Sequence, residues 1–320
     1  MSFSSEIKSE ILSQKIENDC CQFAFLAGVI NTIGSIEIAH GGFSFSVRTD
    51  NLVVIEKVRE TINQLYSDKV EDLEIVTRTT GKVVMYEVSF PSGVGAQILK
   101  DCSILNLSDG NMWQVNRGID HHVILEDCCK KTYLSTVFLT AGTISVPTTD
   151  ETTSTSFGGY HFELELTNLE QAKAVSHLLG EFGFISKKVD RGEKQVVYIK
   201  DSESIADFVG FVGATKSYLK LQNDIVSRDM RNSINRQANC MSANIGKTVG
   251  ASLVQLQAIE TIEETIGIQN LPGDLAFYAN LRKDNPDSSL NDLLSIVGGG
   301  ITKSGLNYKL KKLIEIANNL

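Results

Sequence analysis

The 320-residue chain predicts an α+β fold: a duplicated unit with pseudo-twofold symmetry, followed by an all-α helix-turn-helix domain. Three observations predict it. A Cys-Cys/Leu/Gly register recurs 108 residues apart. Segments of strict apolar/polar alternation follow each copy, as half-buried strands require. The last third loses that alternation and places apolar residues at helical spacing, ending in a basic amphipathic helix. Length and a 42% hydrophobic fraction allow two or three domains with buried cores.

In chain order, Ile7, Ile11 and Leu12 mark an N-terminal core-packing helix. "CCQFAFLAGVINTIGSI" (20–36) and "CCKKTYLSTVFLTAGTI" (128–144) then align without a gap. "GFSFSVRTDNL" (42–52) matches "GYHFELELTNL" (159–169) at an offset of 117, so the second copy carries a loop nine residues longer. That loop, "SVPTTDETTSTSFGG" (145–159), has the Ser/Thr-rich composition of exposed chain. "KVVMY" (82–86) pairs in the same way with "KQVVY" (194–198). Each copy reads as an apolar helix, two strands, an Asn-capped helix (Asn51, Asn168) and two more strands. Phe43, Phe45 and Val47 form one inward set, and Tyr160, Phe162, Leu164 and Leu166 the other. Ala172, Val175, Leu178 and Leu179 give the helix after Asn168 one apolar face. The copies span 19–105 and 127–222, within a domain of residues 1–222.

Helix, two strands, helix, two strands, twice over, with "LAGVINTIG" (26–34) in the first helix, resembles the monomeric LAGLIDADG homing endonucleases. The resemblance implies that the two signature helices pack face to face along the pseudo-twofold axis, with Ala27 and Gly28 permitting close approach. It also implies a metal-binding acid one position before the final glycine of each helix. Those positions hold Ile33, before Gly34, and Ala141, before Gly142. The other acidic position of the signature is Asn31 in one copy and Leu139 in the other. Neither Ile nor Ala offers an oxygen to a hard cation, so no catalytic residue, metal or cofactor is expected.

Charge points the same way. The net charge is −9, which opposes phosphate binding by the chain as a whole. Residues 1–222 hold 20 Lys/Arg against 29 Asp/Glu, while 223–320 hold ten of each. In the repeat domain Glu163 and Glu165 occupy the polar strand face, and Arg48, Arg78 and Lys82 give thin basic cover. The last twenty residues carry four lysines and one acid, Glu315. Contact with DNA is therefore expected at the C-terminal end.

There, 223–247 is dense in Asn and Arg and reads as a linker or a capped helix pair, leading into a helical domain over 248–320. Val249, Leu253, Leu256 and Ile259 mark one helix, and Leu275, Phe277, Tyr278 and Leu281 a second, stopped by Pro286. A third opens on Ser289 and Asp292, a capping pair, and turns Leu290, Leu293, Leu294 and Val297 inward. Gly298 to Gly300 turn the chain, Thr302 caps the last helix, and Leu306, Leu310, Leu313 and Ala317 are its buried face. A short capped helix, a glycine turn and a basic helix spell helix-turn-helix over 288–320. Lys303, Ser304, Asn307 and Tyr308 are the expected base readers. Lys309, Lys311 and Lys312 are the expected phosphate anchors.

"SFSSEIKSEI" (2–11), the two Cys-Cys units, "DMRNSINRQANCMSANIGKT" (229–248) and "ITKSGLNYKLKKL" (301–313), in that order, resemble the WhiA family over essentially the full chain. The resemblance implies a degenerate homing-endonuclease domain fused to a sigma-factor-like helix-turn-helix. It implies a DNA-binding transcription regulator linked to cell division, chromosome segregation and, in spore formers, sporulation.

Other residues favour plain roles. Cys20, Cys21, Cys128 and Cys129 read as packing thiols rather than zinc ligands, because no Cys-x-x-Cys spacing occurs. His121 and His122 precede the second cysteine pair, and His40, His161 and His177 are scattered. Trp113 reads as core. No P-loop or Rossmann fingerprint occurs. No run of apolar residues is long enough for a membrane span. "MSFSSEIKSEILSQKIEND" has no apolar core of a secretory signal, so a reducing cytoplasm, on the nucleoid, is expected.

The reading is thus a non-catalytic, sequence-specific binder of double-stranded DNA, with no membrane and no small-molecule substrate. About four phosphate contacts imply a log–log salt slope near −3.6. Two alternatives stay open: a residual endonuclease, and a scaffold whose acidic repeat domain contacts a protein partner.

Overall fold

The structure is a computed structural model, which describes residues 2–39, 42–66, 73–81, 83–107, 112–149 and 156–320. His40, Lys82 and residues 150–155 of the predicted Ser/Thr loop lie outside the described residues. The chain divides into two compact units, Met1–Val226 and Ser227–Leu320.

The first unit opens with α1 (Phe3–Leu12), whose N-cap Ser2 accepts from Ser5 N–H and whose Ile7 is fully buried. The first repeat follows: α2 (Asp19–Ile33), β1 (Gly34–Ala39), β2 (Gly42–Thr49), α3 (Leu52–Tyr66), β3 (Ile75–Thr80), β4 (Val83–Phe90) and α4 (Ser92–Asp101). A small hairpin, β5 (Leu105–Leu107) and β6 (Trp113–Val115), leads to the second repeat. That repeat is α5 (Asp127–Ala141), β7 (Gly142–Ser145), the short pair β8 (Thr148–Thr149) and β9 (Ser156–Phe157), β10 (His161–Leu166), α6 (Leu169–Glu181), β11 (Lys187–Arg191), β12 (Lys194–Ile199) and α7 (Ser202–Phe211).

The duplication is visible in the sheets. The first has the order β1-β2-β4-β3 and the second β7-β10-β12-β11, both antiparallel throughout. The expected strand faces hold: Phe45, Val47, Phe162, Leu164 and Leu166 are buried. Phe45 stacks on Phe90 in one sheet, and Phe138, Phe162 and Phe208 cluster beneath the other. The side chains of Asn51 and Asn168 accept from Val53 and Gln171 N–H, starting α3 and α6.

α2 and α5 pack against each other at the centre of the unit. A Cβ at Gly28 would lie 2.9 Å from Thr136 Cγ2, so the small residue sets the approach distance. Thr32 and Thr140, equivalent in the repeat, meet at 2.7 Å, and Asn31 donates to the Tyr133 hydroxyl at 3.1 Å. Gly34 and Gly142 turn each helix straight into a strand; a Cβ there would come within 2.5 Å of Ile30 O and 2.6 Å of Phe138 O.

α8 (Thr215–Thr265) begins in the first unit and ends in the second. Glu10 accepts from the N–H groups of Lys216 and Ser217 at 2.9 Å each and from the Ser217 hydroxyl at 2.6 Å, capping its start. The expected linker, 223–247, is thus the interior of one helix. It contains no proline, and its Arg, Gln, Met and Ala residues suit a helix. The second unit continues with α9 (Leu275–Asp284), α10 (Leu290–Val297) and α11 (Lys303–Ala317). No helix among the described residues is long and apolar enough to cross a membrane.

Several inward assignments change. Val249, Leu253 and Phe277 are exposed, because α8 buries Ser252, Gln255, Ile259 and Ile262, and α9 buries Leu275, Tyr278 and Leu281. Trp113 is also exposed: it lies edge-on to Phe43 with Lys100 Nζ 4.4 Å above its ring. Only Cys21 and Cys129 of the two pairs are buried; Cys20 and Cys128 are exposed.

Candidate nucleic-acid interface

The second unit is built on a leucine-rich core. Ile259 and Ile262 of α8, Leu275 and Tyr278 of α9, and Leu293 of α10 pack around Leu306, Leu310 and Leu313 of α11. The three α11 leucines are fully buried, at one per turn, which fixes the rotation of that helix. At about 1.5–3 kcal/mol for each buried side chain, they outweigh any surface contact the helix makes.

Local signals set the two helix starts. Ser289 and Asp292 form a capping box at 3.3 and 2.9 Å. That hydrogen bonding with Ser289 holds the Asp292 carboxyl below its ordinary pKa. Gly298, Gly299 and Gly300 all take positive φ, which glycine adopts without strain, and they reverse the chain between α10 and α11. Thr302 then accepts from Gly305 N–H at 3.2 Å as the N-cap of α11.

One positioning residue escaped the sequence reading. Arg282 is 2% exposed, and its guanidinium donates to Asn285 O at 3.2 Å and Ser288 O at 2.7 Å. Ser252 of α8 donates to Pro286 O in the same turn. Burial lowers the Arg282 pKa. The residue braces the turn that delivers α10. A lone arginine on an amphipathic helix gives no such signal in sequence.

On the outer side of α11, Thr302, Lys303, Ser304, Tyr308, Lys311 and Lys312 are exposed and Asn307 is half-buried. Lys309 departs from its expected role. It forms an ion pair with Asp274 and lies over the Tyr278 ring, 5.9 Å from the centroid. The hydrogen bond to Asp274 raises its pKa. It stands at the flank of the core face, three residues after buried Leu306 and four before buried Leu313. Lys303, Lys311 and Lys312 form no ion pair among the described residues.

In the first unit, Ile33 and Ala141 are the last residues of α2 and α5, at the ends where the threonine pair meets. On the first sheet, Arg48 and Arg78 both bind Glu87, at 3.1 and 3.3 Å. The hydrogen bond from Arg48 leads in holding the Glu87 carboxyl below its usual range. On the second sheet, Arg191 grips Glu163 through two nitrogens at 2.9 and 3.2 Å, and Lys194 pairs with Glu165. Repulsion of phosphate by Glu163 and Glu165 is therefore weaker than the charge count implied. The sheet cations are also engaged, leaving these faces near balance.

Three family models match in succession: the WhiA N-terminal LAGLIDADG-like domain over residues 19–105, the WhiA LAGLIDADG-like domain over 130–231, and the WhiA C-terminal HTH domain over 234–317. A protein of Oceanobacillus iheyensis named "Probable cell division protein WhiA" is 36% identical over 321 residues, covering 100% of this chain and 98% of its own length. The Bacillus subtilis protein of the same name is 35% identical, with 100% and 97% covered. The crystal structure of a full-length WhiA from Thermatoga maritima shares the fold, with a TM-score of 0.57 at 21% identity over 100% of this chain and 99% of that one. With a duplicated nuclease-like unit, a capped helix-turn-helix and relatives matched from end to end, the chain belongs to the WhiA family.

Proposed function

We propose that this chain is a non-catalytic, sequence-specific DNA-binding protein that regulates transcription through its C-terminal helix-turn-helix. The relatives' name supports a role in cell division, and the family resemblance extends it to chromosome segregation and, in spore formers, sporulation. One observation carries the reading: α11 buries Leu306, Leu310 and Leu313 and turns Lys303, Lys311 and Lys312, without carboxylate partners among the described residues, to the outside. In this reading α11 enters the major groove. Lys303, Ser304, Asn307 and Tyr308 meet base edges, and Lys311 and Lys312 hold phosphates. Residues 1–222 act as an interaction module without nuclease activity, supported by Ile33 and Ala141 at the acid positions. Residues 248–320 bind double-stranded DNA on the nucleoid, in the cytoplasm.

The test starts from genomic fragments captured by the full-length chain, with binding then measured by fluorescence anisotropy against salt. The combined charge reversal K303E/K311E/K312E leaves the buried face intact and is expected to abolish binding. Unchanged affinity in that variant overturns the reading. Cleavage of the captured fragments in Mg²⁺ overturns its non-catalytic part.

A further inference from the structure

The two cysteine pairs converge. Cys20 and Cys21 lie in the first turn of α2, and Cys128 and Cys129 in the first turn of α5. Because α2 and α5 pack side by side, the four Sγ atoms all lie within 4.8 Å of one another, and Cys128 and Cys129 are 3.9 Å apart. Zinc–sulfur bonds of about 2.3 Å in a tetrahedron give sulfur–sulfur edges of about 3.8 Å. A disulfide needs about 2.05 Å. Edges of at most 4.8 Å lie within about 1 Å of such a coordination shell, and the Cys128–Cys129 edge of 3.9 Å matches it rather than a covalent bridge. We propose that Cys20, Cys21, Cys128 and Cys129 form a tetrathiolate zinc site that ties the two repeats together.

Three further features fit. Cys21 and Cys129 are buried while Cys20 and Cys128 are exposed, so the shell is half-sunk and open to an entering ion. Neither helix has a side-chain cap at its N-cap residue, Asn18 or Glu126. The first-turn amides of both helices therefore lack a side-chain cap acceptor and face the thiolates, with Asp19 and Asp127 in the same turns. All four ligands stand on helical turns whose spacing the packing of α2 on α5 already sets. Vicinal cysteines on one helix are poor chelators alone; two such pairs meeting across a pseudo-twofold axis complete the set. Soft sulfur donors select zinc over the hard ions that homing endonucleases use. Cys20 and Cys128 stand 13 positions before Ile33 and Ala141, about 20 Å along the axis. On binding, the four thiols release four protons and the ion receives four thiolates.

The test uses the reduced full-length chain and Co²⁺ as probe. One equivalent is expected to give the intense visible bands of tetrahedral tetrathiolate cobalt, and Zn²⁺ is expected to bleach them. The bands should be lost in Cys20→Ser/Cys128→Ser, which alters only exposed positions and keeps the buried pair, and retained in Cys240→Ser, a control on α8. Circular dichroism checks that the double variant folds. Failure of the reduced chain to bind Co²⁺ overturns the proposal. So does survival of the bands in the double variant. A disulfide among these four, found by alkylation mapping of protein kept at a cytosolic thiol ratio, overturns it as well.

Discussion

Among single residues, neighbouring lysines of α11 differ in kind. Lys311 is exposed and carries no carboxylate partner among the described residues, whereas Lys309 is held by Asp274 beside the Tyr278 ring. Lys311→Ala is expected to weaken DNA binding and to reduce the log–log salt slope by about 0.9, the release associated with one phosphate. Lys309→Ala should leave the slope unchanged. With Lys309 withdrawn from the roughly four phosphate contacts expected, the whole slope falls to about −2.7 rather than −3.6. Anisotropy titrations across a salt series measure all three. Arg282 acts at the same scale but through structure. Arg282→Met removes the donors to Asn285 O and Ser288 O; Asn285 O keeps the Ser288 N–H, and Ser288 O loses its charged donor. At about 1.5–3 kcal/mol for a hydrogen bond to a charged group, the second unit should lose roughly 2–4 kcal/mol. Hydrogen exchange in α9, α10 and α11 reads that loss directly, and DNA affinity should fall with it because Arg282 braces the turn before α10.

At the scale of elements, α1 is a clamp. Ser4 of α1 donates to Ile144 O and accepts from Ile144 N–H at 2.8 and 2.7 Å, tying it to β7. Glu10 at its other end caps α8. Burial alone would raise the Glu10 pKa, but the hydrogen bonds from the Ser217 hydroxyl and the Lys216 and Ser217 amides outweigh it and hold the carboxyl below 4.5. A lowered folded-state pKa means that this cap stabilises fully above the ordinary value of 4.5 and is lost as pH falls through the lower one. Glu10→Gln should therefore reduce stability at neutral pH and flatten its decline in acid. Urea midpoints of the two proteins, taken from neutral to acid pH, should converge at the acid end. Parallel curves would mean that Glu10 does not carry the effect.

Across the whole molecule, α8 is uneven. Residues 229–247 are exposed along their entire length, with Met230, Ile234, Met241 and Ile245 open to solvent. A helical stretch without packing has little stability of its own, whereas residues 252–262 carry buried Ala258, Ile259 and Ile262. Amide exchange over 229–247 is expected to run far faster than over 252–262 in the free protein, and mass spectrometry of peptides from one exchange series compares them. Equal protection would mean that another surface covers the stretch in solution.

Residue order alone revealed the duplication, the inward strand sets, the Asn168 and Ser289 caps, the glycine turn, the buried leucines of α11 and the apolar replacements at 33 and 141. These signals are local: a cap, a turn or a face of a helix is written within one or two turns of chain. It left 223–247 as a linker or a capped helix pair, where the polar composition gave no sign that one helix, α8, runs through the whole stretch. Four matters waited for packing: the meeting of the cysteine pairs, the capture of Lys309 by Asp274, the sharing of Glu87 by Arg48 and Arg78, and the burial of Arg282. The first three join residues far apart in the chain, Cys20 and Cys128 standing 108 positions from one another, and the burial of Arg282 brings in Ser252, 30 positions away. Distances of a few ångströms between such groups depend on how helices and strands settle against one another, and hydrophobic spacing does not encode that.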